Sequence, residues 1–143
     1  MMDAQTASLL QSIIRREGRS LLQYVNDLSP WTRECEQDRL AQLHALVNEE
    51  RDGIAAVVRV LTRNRVMPPY LGAYPMGFTS LNFTSFQSLM PRLIDFQQRS
   101  LPILESDLVR LNEPEARGAV QSLVAMKRRH LKTLEAMGEN SHA

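Results

Sequence analysis

Five polar residues stand where apolar ones are expected: Glu17, Glu50, Gln97, Lys127 and His130. Glu17 lies four residues from both Ile13 and Leu21, and Glu50 lies between Val47 and Ile54. Gln97 lies between Leu93 and Leu101, and Lys127 between Leu123 or Val124 and Leu131, with His130 three residues further on. Residues three and four apart share a helix face, so these side chains are expected to point inward. Carboxylates and an imidazole are ligands for a divalent cation. A lysine among them supplies a positive charge of its own. Three arrangements are open: helices rotated so that the carboxylates reach water, a buried ion pair, or metal ligation. Unpaired, each charge would cost several kcal/mol to bury. We therefore expect Glu17, Glu50 and Lys127, bridged by Gln97, to form a buried polar network.

The segments that carry these residues have helical periodicity. In the first, Leu10, Ile13, Ile14, Leu21, Tyr24, Val25 and Leu28 recur at three- and four-residue steps; "LSPW" ends it, with Ser29 as a cap and Pro30 as a first helical residue. The second runs from about Trp31 to Arg65 with a stripe from Leu40 to Leu61, and "MPP" at 67–69 stops it. The third starts at Thr84, where "TSFQ" has capping-box form, and Pro91 and Pro102 are expected to kink or restart it. The fourth is capped by Asn112 in "NEPE", carries Val120 to Met137, and has Gly138 as its stop. A frayed tail of about 139–143 follows.

Between the second and third helices lies "YLGAYPMGFTSLNF", within a connection of about 66–83. A connection this long in a compact domain crosses the molecule or carries function. Tyr70, Tyr74, Phe78 and Phe83 are expected to anchor it to the helices. The expected fold is therefore all-α: residues 1–143 as a single antiparallel four-helix bundle joined short, long, short.

Here the chain resembles a family. A Glu in one helix followed 33 residues later by a Glu in the next resembles the half-site of ferritin-like di-iron proteins, such as rubrerythrins and bacterioferritins. The stretch "LMPRLIDFQQRSLPILESDLV…VQSLVAMKRRHLKTLEAM" is also similar to the second half of small bacterial ferritin-like domains. The resemblance implies a ferritin-like bundle whose metals are held by four carboxylates and two imidazoles. Glu17 and Glu50 match the first two carboxylates. Gly53 stands at the histidine position after Glu50, Gln97 at the third carboxylate and Lys127 at the fourth, while His130 matches the second imidazole. Asp95 is nearby but on another face. Two divalent metal ions carry +4, and Glu17 and Glu50 supply only −2. The resemblance thus implies a degenerate di-metal site, with Lys127 replacing the metal charge and no cofactor.

The bulk properties narrow the function. Net charge is +1, which gives no reason to expect nucleic acid or an anionic membrane as partner. One cysteine, Cys35, excludes an intrachain disulfide and a Cys-rich zinc site. The start does not read as a signal peptide and no run of about 20 apolar residues is found, so a cytoplasmic location is expected. Cys35, His44 and His142 lack partner spacing, the two histidines are expected to be exposed, and "RREGR" and "KRRH" are expected to be solvated faces. No phosphate loop or hydrolase elbow is found. The favoured function is non-enzymatic, by binding or assembly, with a homodimer or a protein partner. The alternatives are iron or another divalent metal held by Glu17, Glu50 and His130, with oxidoreductase-type chemistry, and a carrier of a small apolar ligand under the crossover.

Overall fold

The computed structural model describes residues 2–26, 30 and 32–140, the side chain of Asn140 excepted. The described residues are all-helical, with five α-helices and no β-strand. These are α1 (Ala4–Gly18), α2 (Leu21–Val25), α3 (Gln37–Arg63), α4 (Phe86–Val109) and α5 (Pro114–Asn140). Short 3-10 turns cover Glu34–Glu36 and Met76–Leu81.

The first expected helix is two helices. Asp3 caps α1 through its carboxylate, which accepts from the Thr6 backbone N–H at 2.7 Å. The chain leaves the helix at Arg19, and Ser20 caps α2 by accepting from the Gln23 backbone N–H. A serine at this point competes for the backbone and favours a new start over continuation. The proposed Ser29 cap lies outside the described residues, as does Trp31 at the expected start of the second helix. α3 itself begins at Gln37, after a turn in which Glu36 accepts from the Arg33 backbone N–H at 2.7 Å.

Three caps shift by one residue or vanish. Ser85, rather than Thr84, caps α4. Glu113, rather than Asn112, accepts from the Ala116 N–H at 2.7 Å and caps α5, with Pro114 in the first turn. Gly138 does not end α5. It is buried inside the helix, where a Cβ would lie 2.9 Å from Ile94 Cδ1. Its lack of a side chain allows α4 and α5 to approach. α4 also runs through Pro91 and Pro102 without restarting. Both rings lie on the exposed side, away from the core, where a lost backbone bond is most costly.

α5 packs on α3 and α4, while α1 and α2 pack on α3 and α4. The buried side chains form two clusters. One joins Leu10, Ile13 and Ile14 to Ile54–Leu61, Leu104 and Val120–Met126. The other joins Leu21, Leu22 and Val25 to Leu43–Val47, Phe86–Leu93, Leu134 and Met137. Along each long helix the division between clusters falls at a polar position: Glu17, Glu50, Gln97, or Lys127 with His130.

The 66–83 connection runs along α1 and α2. Gln11 donates to the Met67 carbonyl, Leu71 lies over Gly18, and Tyr24 bonds Asn82. Tyr74 and Phe78 anchor it, stacking with Tyr24 and, through Phe78, with Phe96. Tyr70 and Phe83, expected to anchor it too, point into solvent. Tyr74 and Phe78 are half-buried and Leu81 is buried. No helix is long and apolar enough to cross a membrane among the described residues.

Candidate functional site

Glu17 and Lys127 meet in the interior. Lys127 Nζ donates to Glu17 Oε2 at 3.1 Å, and the two side chains are 1% and 2% exposed. The residues are 110 apart in sequence, one on α1 and one on α5. The second Glu17 oxygen makes no hydrogen bond but lies 3.9 Å from Arg16 Nη2. Arg16 in turn donates to Asp107 Oδ2 at 2.7 Å, tying α1 to α4.

Glu50 is equally buried but has different partners. Its Oε1 accepts from Ser20 Oγ at 2.5 Å and from Gln23 Nε2 at 3.2 Å. Gln23 also donates to the Val47 carbonyl at 3.0 Å. The break between α1 and α2 is what delivers both donors: Ser20 and Gln23 are the cap and third residue of α2. Burial pushes the Glu50 carboxyl above its ordinary range; the Lys127 charge and these two hydrogen bonds pull it down, and the Glu17 charge adds to the rise. Of the two buried carboxyls, only Glu17 is bonded to the Lys127 ammonium.

Gln97 does not bridge the carboxylates. It is buried on α4, and both atoms of its amide lack a hydrogen-bond partner. The polar group is therefore two adjoining units, Glu17–Lys127 and Glu50–Ser20–Gln23, coupled through space by charge.

His130 is buried yet faces another residue. Its Nε2 lies 3.1 Å from Glu49 Oε1, which also accepts from Arg129 at 2.7 Å. A carboxylate can only accept, so Nε2 is the nitrogen that donates. Nδ1 is buried without a partner. Burial lowers the His130 pKa from its ordinary 6.5, against the raising effect of Glu49. The Arg129 hydrogen bond holds Glu49 below its ordinary range.

These positions decide whether the chain's own residues fit a di-metal centre. The space opposite Gly53 is filled: a Cβ there would lie 2.9 Å from Leu123 Cδ1 and 3.4 Å from Met126 Sδ. His130 is committed to Glu49 rather than joined to Glu17 and Glu50. Among the described residues no group of three or more His, Cys, Asp or Glu could hold a metal ion. An ammonium bonded to Glu17 completes the mismatch. The residues do not fit the group that the family resemblance implied.

Other expectations fare variously. Asp95 is exposed and paired with Arg99. Arg128 and Arg129 of "KRRH" pair with Glu105 and Glu49 at the surface, while Lys127 and His130 turn inward. His44 is half-buried rather than exposed, and Cys35 is exposed. His142 lies outside the described residues. A surface cavity of about 930 Å³ lies at the start of α1 beside Arg110, and one of about 460 Å³ between α4 and α5. Neither is lined by the 66–83 connection, under which the carrier alternative would place a ligand.

Sequence reasoning missed Ser20, Gln23 and Glu49. Ser20 carried a usable signal, since "GRS" inside a helical run is a stop and a cap in sequence. Glu49 carried none: it lies off the apolar stripe at an exposed position, and only the register of α3 against α5 brings it to His130. Compared with protein-family models, with curated proteins and with solved structures, the chain matches none.

Proposed function

We propose that the chain is a ferritin-like, antiparallel four-helix bundle in which a lysine–glutamate pair stands in place of the di-metal site. On this reading it acts non-enzymatically, by binding or assembly.

The pairings between helices support the topology. Ser20 meets Glu50 and Gln23 meets Val47, so α1–α2 and α3 run in opposite directions. Arg63 meets Glu115 and Glu49 meets Arg129, so α3 and α5 do too. Glu105 meets Arg128 and Ile94 approaches Gly138, which opposes α4 and α5. α1 and α5 are then parallel and diagonal, with Glu17 and Lys127 reaching across the centre. This is the order expected of two hairpins joined by a long crossover.

The Glu17–Lys127 bond is the observation that carries the loss of the metal site. A divalent ion about 4 Å from the ammonium would be repelled by on the order of 8 kcal/mol at an effective dielectric of about 20. Glu50 Oε1 is already taken by Ser20 and Gln23. Reversing the lysine charge tests the proposal. Titration calorimetry of Lys127→Glu with manganese or zinc should show binding that the wild type lacks. Equal saturable binding by the wild type, abolished by Glu50→Ala, would refute it.

A further inference from the structure

The seam between α4 and α5 is ion-paired in one place and not in another. Glu105 of α4 meets Arg128 of α5 at 2.6 Å. Nearer the start of α4 the seam opens into the cavity of about 460 Å³. Met90, Pro91 and Ile94 of α4 supply its apolar lining; Asp95 borders it on α4, and Glu135 and Glu139 border it on α5. No basic residue lines it among the described residues. Asp95 has Arg99 of its own helix as partner. The ion pairs of α5 use Glu115, Lys127, Arg128, Arg129 and His130, and Glu135 and Glu139 enter none of them. Their placement works against the free chain. Like charges four residues apart on a helix repel, and Glu135 and Glu139 are such a pair. Glu139 also lies in the last turn of α5, which has no basic residue and faces it with the negative end of the helix dipole. The first turn of α4, whose dipole would favour an anion, does not line the cavity. An apolar lining between unpaired carboxylates suits a cation with an apolar body.

We propose that this cavity docks a basic amphipathic helix of a partner protein. One apolar side chain sits against Met90, Pro91 and Ile94, and Lys or Arg side chains meet Asp95, Glu135 and Glu139. The proposal rests on the binding reading above and names its surface and the chemistry of the partner. Charge selects the occupant, since nucleic acid and anionic lipid carry the wrong sign. Placement of the acids on both helices selects a segment over a small amine. One ammonium reaches one wall, whereas bases a turn to either side of an apolar anchor reach both. Length agrees: the lining runs from Met90 to Gln98 on α4, about 12 Å, or about two turns of a docked helix. The basic runs of the chain itself are engaged within the fold, which disfavours a second copy. Arg16 meets Asp107, Arg19 the Arg15 carbonyl, Lys127 Glu17, and Arg128 and Arg129 meet Glu105 and Glu49.

The test is fluorescence anisotropy with a labelled leucine–lysine peptide of helical period, ~14 residues or about four turns long. The full chain should bind it saturably, and more weakly as salt rises. The same peptide with glutamate for lysine, or with serine for leucine, should not bind. Glu135→Gln/Glu139→Gln should weaken binding by about 10-fold, through loss of two solvent-exposed ion pairs. This variant removes like charges, so it should melt no lower than the wild type by circular dichroism. Asp52→Asn/Glu115→Gln, an equal charge change away from the cavity, should bind as the wild type does. No binding by the wild type at ~1 mM, or unchanged affinity in Glu135→Gln/Glu139→Gln, would overturn the proposal. Equal binding of the serine–lysine peptide would overturn it in favour of charge alone. Displacement of the peptide by an equal concentration of octylamine would overturn it in favour of a small cation. A wild-type dimer in sedimentation, lost in Glu135→Gln/Glu139→Gln, would overturn it in favour of a second copy. Metal content is read separately, so failure of peptide binding and failure of the metal-free reading are distinct results.

Discussion

Replacing Lys127 with methionine keeps much of the side-chain volume and removes the charge. It leaves Glu17 with its Oε2 unpaired in a site 2% exposed. A unit pair at 3.1 Å is worth about 5 kcal/mol at an effective dielectric of about 20. Loss of one partner of a buried pair costs about 3–5 kcal/mol. Arg16, 3.9 Å from the other Glu17 oxygen, softens this, and we expect the lower half of the range. At 143 residues a loss of ~3 kcal/mol lowers the melting temperature by about 10 °C. The double variant Glu17→Leu/Lys127→Met removes both charges, and apolar replacement of a whole buried pair is close to neutral. It should recover most of the loss. Urea melts of the wild type, both single variants and the double variant give the coupling energy. The deficit of Lys127→Met should also shrink at acid pH, where a proton can neutralise the orphaned carboxylate. A single variant within ~1 kcal/mol of the wild type, or a double no better than the single, would refute the reasoning.

Three further outcomes follow from the same region. Glu50 has a raised pKa, so its stabilising protonated form is complete below its ordinary 4.5 and is lost as pH rises through the folded value. Glu50→Gln should therefore gain stability relative to the wild type as pH rises from 5 to 8 in urea melts, and a flat difference would contradict this. His130 has a lowered pKa, so its contribution is present above 6.5 and is lost as pH falls through the folded value. An NMR titration of its ring should give a midpoint below 6.5, lower still in Glu49→Gln; a midpoint above 6.5 would contradict the assigned burial. Gln97→Met removes a buried amide without partners, so it should be neutral or stabilising by about 1–2 kcal/mol in thermal melts. A loss above ~1 kcal/mol would mean that the amide is bonded.

The apolar stripes made four helical stretches legible, because period and burial follow from the same geometry. Their inward polar residues were legible for that reason too: Glu17, Glu50, Gln97 and Lys127 are all buried. Pairing within that set was not legible. Ser20 and Gln23 enter only because α1 ends at Gly18 and α2 resets the helix phase, which a single stripe from Leu10 to Leu28 conceals. His130 pairs with Glu49 rather than facing Glu50, a difference of one residue and about 100° around α3. Glycine was ambiguous as well. Gly53 and Gly138 both sit inside helices where a neighbouring side chain fills the space, whereas the sequence suggested a missing ligand at one and a helix stop at the other.

On the function proposed above, the Lys127 charge stands where a metal would be. The most direct measurement is elemental analysis of the full-length chain purified without chelator from medium supplied with iron, manganese and zinc. Each metal is expected far below one per chain, with no change in Glu50→Ala. Stoichiometric metal in the wild type, lost in Glu50→Ala, would contradict it.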